Sequence, residues 1–64
     1  MTRITVKIDT VSSVTVVFYR QSDNWESLNP YERDDMISWW VNENIDAQRA
    51  LNGSTGYLLS WKVN

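Results

Sequence analysis

Positions 3–8 of the chain read Arg-Ile-Thr-Val-Lys-Ile, a strict polar–apolar alternation that puts Ile4, Val6 and Ile8 on one face of a strand. Positions 14–20, Val-Thr-Val-Val-Phe-Tyr-Arg, are β-branched and aromatic, with Val14, Val16 and Phe18 alternating. Between them, Asp9 to Ser13 is polar apart from Val11 and reads as the turn of a hairpin. Alternation returns from Tyr57 to Val63, where Tyr57, Leu59, Trp61 and Val63 share one face and Leu58, Ser60 and Lys62 the other.

The middle of the chain changes period. Asn29 is suited to an N-cap, Pro30 to the first helical position, and Glu32 follows three residues after the Asn, a capping-box arrangement with Asn in the usual Ser/Thr role. Asp34 and Asp35 add negative charge near the positive end of the helix dipole. The spacing predicts a helix from Pro30 to about Glu43, with Met36, Ile37, Trp40 and Val41 as its apolar stripe. Asn44 is expected to end it in the left-handed conformation, with Ile45 packing back. Asp46 to Leu51 reads as one further helical turn, stopped at Asn52-Gly53.

The element order is therefore β-β-α-β, an α+β class built as one domain over residues 1–64. A hairpin followed by a helical crossover favours a three-stranded antiparallel sheet in the order 2-1-3, with one helix packed on one face. That helix is expected to cover the even positions of the first two strands and the odd positions of the third. Phe18, Ile37, Trp40, Trp61, Ile4, Val6 and Val16 are the expected deep core.

Length makes the core matter. A chain of 64 residues buries only about 60% of the surface its unfolded form exposes. Cysteine and histidine are both absent, which removes disulfides and the commonest metal ligands. Four Trp and three Tyr supply large side chains instead. Self-association through the open sheet face, or through the edge of the second or third strand, is the other expected source of stability, giving a homodimer. No charged stretch leads into an apolar one and no run approaches a membrane span, so the expected location is cytoplasmic.

The same residue types bound the chemistry. Without His or Cys there is no Ser-His or Cys-His nucleophile. Gly53 and Gly56 are the only glycines, and no phosphate loop surrounds them. The carboxylates lack a cleft that would shift their pKa values. A non-enzymatic role with no cofactor and no metal is expected.

Two surfaces and one loop residue remain as candidates for binding. Glu32, Asp35, Trp39, Glu43 and Asp46 recur at spacings of three and four, an acidic stripe with Trp39 off the apolar face. Trp39 either lies flat over the strands or is an aromatic anchor within an acidic rim, suited to a protein with a basic surface. The open sheet face carries Arg3, Lys7, Tyr19 and Lys62, with Thr5, Thr15, Val17, Leu58 and Ser60. Basic and aromatic residues on a sheet can take single-stranded nucleic acid, although the net charge of −2 opposes this. Trp25, in a polar loop, either tucks beneath the helix start or anchors a partner.

In size, charge and element order the chain resembles the small, acidic, aromatic-rich single-domain proteins with which phages and other mobile elements bind and inhibit host enzymes. That resemblance implies an inhibitor or adaptor acting on a host protein and assigns no residues; the residue pattern itself nominates Trp39, Glu32, Asp35, Glu43 and Trp25 for partner binding. The alternatives are a nucleic-acid-binding module using Arg3, Lys7, Tyr19 and Lys62, and a self-assembling structural subunit.

Overall fold

A computed structural model describes all residues from 1 to 64. The hairpin joins β1 (Thr2–Thr10) to β2 (Thr15–Ser22). Thr10 and Val14 close its loop: the Thr10 N–H donates to Val14 O at 3.0 Å, and the Val14 N–H donates to Thr10 Oγ1 at 3.1 Å. Ser13 takes φ 69°, the left-handed position that a three-residue hairpin loop requires. β3 (Tyr57–Val63) pairs with the other side of β1, giving an antiparallel sheet in the order β2-β1-β3. Residues 4–9 of β1 thus face two partners each: Thr5 lies between Tyr19 and Lys62, and Val6 between Phe18 and Trp61.

The helical half begins with a 3-10 turn over Trp25–Ser27 and continues through α1 (Pro30–Glu43). The capping box forms: the Glu32 N–H donates to Asn29 Oδ1 at 2.8 Å and the Asn29 N–H donates to Glu32 Oε1 at 3.0 Å. Ile37, Trp40 and Val41 are buried, with Met36 packed beside them. Opposite them lie Ile4, Val6, Ile8 and Phe18 from the even positions of β1 and β2.

The expected single helix is two. α2 runs over Ile45–Asn52 and buries Ala47 and Ala50. Asn44 is not left-handed: at φ −87° and ψ 116° it turns the chain, and its side chain accepts from the Ala47 N–H at 2.9 Å as the N-cap of α2. Gln48 Nε2 donates to Val41 O at 2.9 Å, satisfying a carbonyl at the end of α1. Ile45 is exposed rather than packed back, and Asp46 belongs to α2, so neither extends the α1 stripe. Local spacing marked this stretch as a single further turn and not as a second helix because its buried side chains are alanines, too small to mark an apolar face. That smallness lets α2 lie across β1 and β2.

The third strand differs most from expectation. Its odd positions Tyr57, Leu59, Trp61 and Val63 face the helical side, yet all are exposed; Trp61, expected deep in the core, is 37% exposed. Val16 is only half-buried. The close approaches of α2 are to β1 and β2, so the helical layer ends short of β3. Trp25 fills the remaining gap instead: it is 2% exposed and meets Trp61 edge-on, with centroids 5.2 Å apart.

Candidate functional site

Trp39 and Trp40 are neighbours on α1, and a helix turns about 100° per residue. Trp40 enters the core while Trp39, at 58% exposure, stands outside it. Trp39 lines a shallow groove of about 310 Å³ with Leu28, Glu32, Asp35 and Met36. Asp35 and Met36 are there because they precede Trp39 by four and three residues, one helical turn. Leu28 comes from the loop end just before the cap. The groove therefore has an apolar lining, an exposed indole and two carboxylates. The Glu32 carboxylate is held in place because it already accepts from the Asn29 N–H. Leu28 and Met36 were not singled out for binding by sequence; Met36 read as core, and in fact divides itself between core and groove.

The other helix-side candidates separate. Glu43 sits at the end of α1, exposed and outside the groove. Trp25 is no partner anchor: it is buried, stacked on Trp40 with centroids 5.9 Å apart. Arg33 holds it from outside, its guanidinium 5.6 Å from the Trp25 ring and its Nε donating to Trp25 O at 3.1 Å. Next to Trp25, Glu26 accepts from the Thr2 hydroxyl. That bond first, then a backbone N–H bond, holds the Glu26 carboxyl below its ordinary value; desolvation opposes them, and the N-terminal ammonium and Arg33 add lesser attractions.

A scan against protein-family models, a search of curated proteins and a search of solved structures each find no match. The site therefore rests on its own chemistry.

The open sheet face has a broader depression of about 700 Å³, lined by Lys7, Val17, Tyr19 and Lys62 among others. Its charges are partly engaged. Lys7 Nζ lies 3.7 Å from Asp9 Oδ2, and the Arg3 guanidinium sits 5.6 Å from the Tyr19 ring centroid, over a face that a stacked base would need. No group of three or more Asp, Glu, His or Cys side chains gathers to hold a metal. No helix is long and apolar enough to cross a membrane.

Proposed function

We propose that this chain is a non-catalytic, cytoplasmic protein-binding domain, an inhibitor or adaptor of the kind mobile elements direct at host proteins. It inserts Trp39 into an apolar pocket of a partner whose rim is basic. The observation that carries this reading is the 58%-exposed Trp39 beside Leu28 and Met36, with Glu32 and Asp35 in the same groove. Exposed tryptophan is a frequent centre of binding energy. The carboxylates favour a cationic rim and quicken approach more than they tighten the complex.

The test has two steps. A partner is first captured from host-cell lysate and identified, and its affinity is then measured against variants. Trp39→Ala should weaken binding at least tenfold, about 1.4 kcal/mol, with the fold retained. Asp35→Lys should slow association; it is a cleaner charge test than Glu32→Lys, which also breaks the capping box. If Trp39→Ala binds as the parent does while Lys7→Ala with Tyr19→Ala abolishes binding, the working surface is the sheet face.

A second reading places single-stranded nucleic acid on that sheet face, favoured by the depression that joins Lys7, Tyr19 and Lys62. It requires an affinity for oligonucleotides that falls steeply with salt.

A further inference from the structure

The two edges of the sheet are treated differently. In β2, the Thr10 N–H bond to Val14 O sets the phase, so even positions face β1 and odd positions face the free edge. That edge is blunted: Arg20 Nη1 donates to Tyr19 O at 2.8 Å, occupying one of its outward carbonyls. In β3 the phase follows from Asn64 N–H to Arg3 O and Val11 N–H to Gly56 O, at 2.9 and 3.1 Å. Even positions face β1 again, so Tyr57, Leu59, Trp61 and Val63 direct their N–H and C=O groups outward. No side chain bonds to these groups. The same residues carry the exposed apolar side chains that the helical layer fails to cover.

We infer that β3 pairs antiparallel with β3 of a second copy of this chain, making a continuous six-stranded sheet about a two-fold axis at Ser60. Three features select a second copy as the occupant. First, the strand complements itself about Ser60. Leu59 then opposes Trp61 of the other copy and Tyr57 opposes Val63, so the outward-bonding residues meet each other in hydrogen-bonded pairs. Shifting the centre by one residue to either side leaves one end of the strand unpaired.

Second, the charges agree. Lys62 is the only charged residue in β3, and in this register it opposes Leu58, whose exposed side chain its aliphatic stem can cover. No like charges face each other, and the net charge of −2 per chain offers little long-range repulsion.

Third, the layers fit. Paired residues of antiparallel strands point to the same face, so both helical layers lie on one side of the joined sheet. The uncovered Tyr57, Leu59, Trp61 and Val63 of the two copies form the floor between them. The pairing is argued from the backbone edge of β3, whereas the proposed function is argued from Trp39 and its groove on α1, so this inference does not rest on that function.

Ser60 faces its own symmetry mate as a non-hydrogen-bonded pair, where Cα atoms lie about 4.5 Å apart, within disulfide range. The chain has no native cysteine, so an introduced one reports cleanly. Parent protein should sediment at twice the 7.5 kDa chain mass at high micromolar concentration. Ser60→Cys should oxidise to a covalent dimer, and Val17→Cys, on the same face but remote from the axis, should not. Leu59→Lys, with near-ultraviolet circular dichroism showing an intact fold, should sediment as a monomer. Parent protein that stays monomeric overturns the inference, including the case where only a different protein's strand occupies the edge. Cross-linking through Val17→Cys in place of Ser60→Cys also overturns it, since that outcome means that the sheets meet face to face.

Discussion

The indole of Trp25 lies stacked on that of Trp40, with ring centroids 5.9 Å apart and planes 15° from parallel. One residue comes from a 3-10 turn and the other from the last turn of α1, so the pair ties the loop to the helix. Trp61 completes the cluster, its ring 84° to that of Trp25. Offset stacking and edge-on packing of this kind add about 0.5–1.5 kcal/mol beyond burial. The cluster has one flaw: Trp25 Nε1 is buried without a hydrogen-bond partner, a deficit of about 1–3 kcal/mol.

Trp25→Ala should therefore cost on the order of 3–5 kcal/mol, a large share of the stability of a domain this size. Trp25→Phe should cost much less, because it keeps a ring and removes the unpartnered donor. Urea titration of both variants checks this. A Trp25→Phe loss equal to that of Trp25→Ala would mean the indole nitrogen is satisfied in solution.

Trp39 and Trp40 should behave oppositely despite being adjacent. Trp40→Ala opens a cavity beneath α1 and should cost roughly 3–5 kcal/mol. Trp39→Ala removes a largely exposed ring and should stay within about 0.5 kcal/mol of the parent. Thermal melting distinguishes them directly, and only the second variant is a fair probe of binding.

Acid should weaken the clasp between β1 and the 3-10 turn. The folded-state pKa of Glu26 is lowered, first by the Thr2 hydroxyl. A carboxylate with a lowered folded value contributes stability that is present above its unfolded pKa and lost as pH falls through the folded one. Melting temperature should thus fall more steeply below the ordinary glutamate range in the parent than in Glu26→Gln. Parallel acid profiles for the two proteins would show that the bond to Thr2 carries no stability.

The hairpin loop should be improvable. Ser13 occupies the left-handed region at φ 69°, where an L-residue with a Cβ is disfavoured by roughly 1–2 kcal/mol and glycine is not. Ser13→Gly should stabilise the protein by up to about 1 kcal/mol, the rest being offset by the greater freedom of glycine in the unfolded chain. A lowered melting temperature for this variant would place another conformation at the loop.

What could be read directly from the chain is what depends on near neighbours. Alternation in positions 3–8, 14–20 and 57–63 locates the strands, because the two faces of a strand are set by a period of two. Asn29, Pro30 and Glu32 locate the start of α1, because a cap is satisfied within four residues. The helical period places Trp39 off the apolar stripe that holds Trp40, but whether its ring lies over the strands or stands exposed was decided by the fold, which leaves it 58% exposed. Tertiary structure decided what depends on the size and reach of the second layer. Asn44 became a junction between two helices because Ala47 and Ala50 are small enough to let α2 lie against the sheet. Trp25 became core because the space between α1 and β3 had to be filled from a loop. Tyr57, Leu59, Trp61 and Val63 stayed exposed because the helices are not broad enough to cover a third strand. An alternating pattern states which face of a strand is apolar, but whether that face is covered depends on the width of what packs above it.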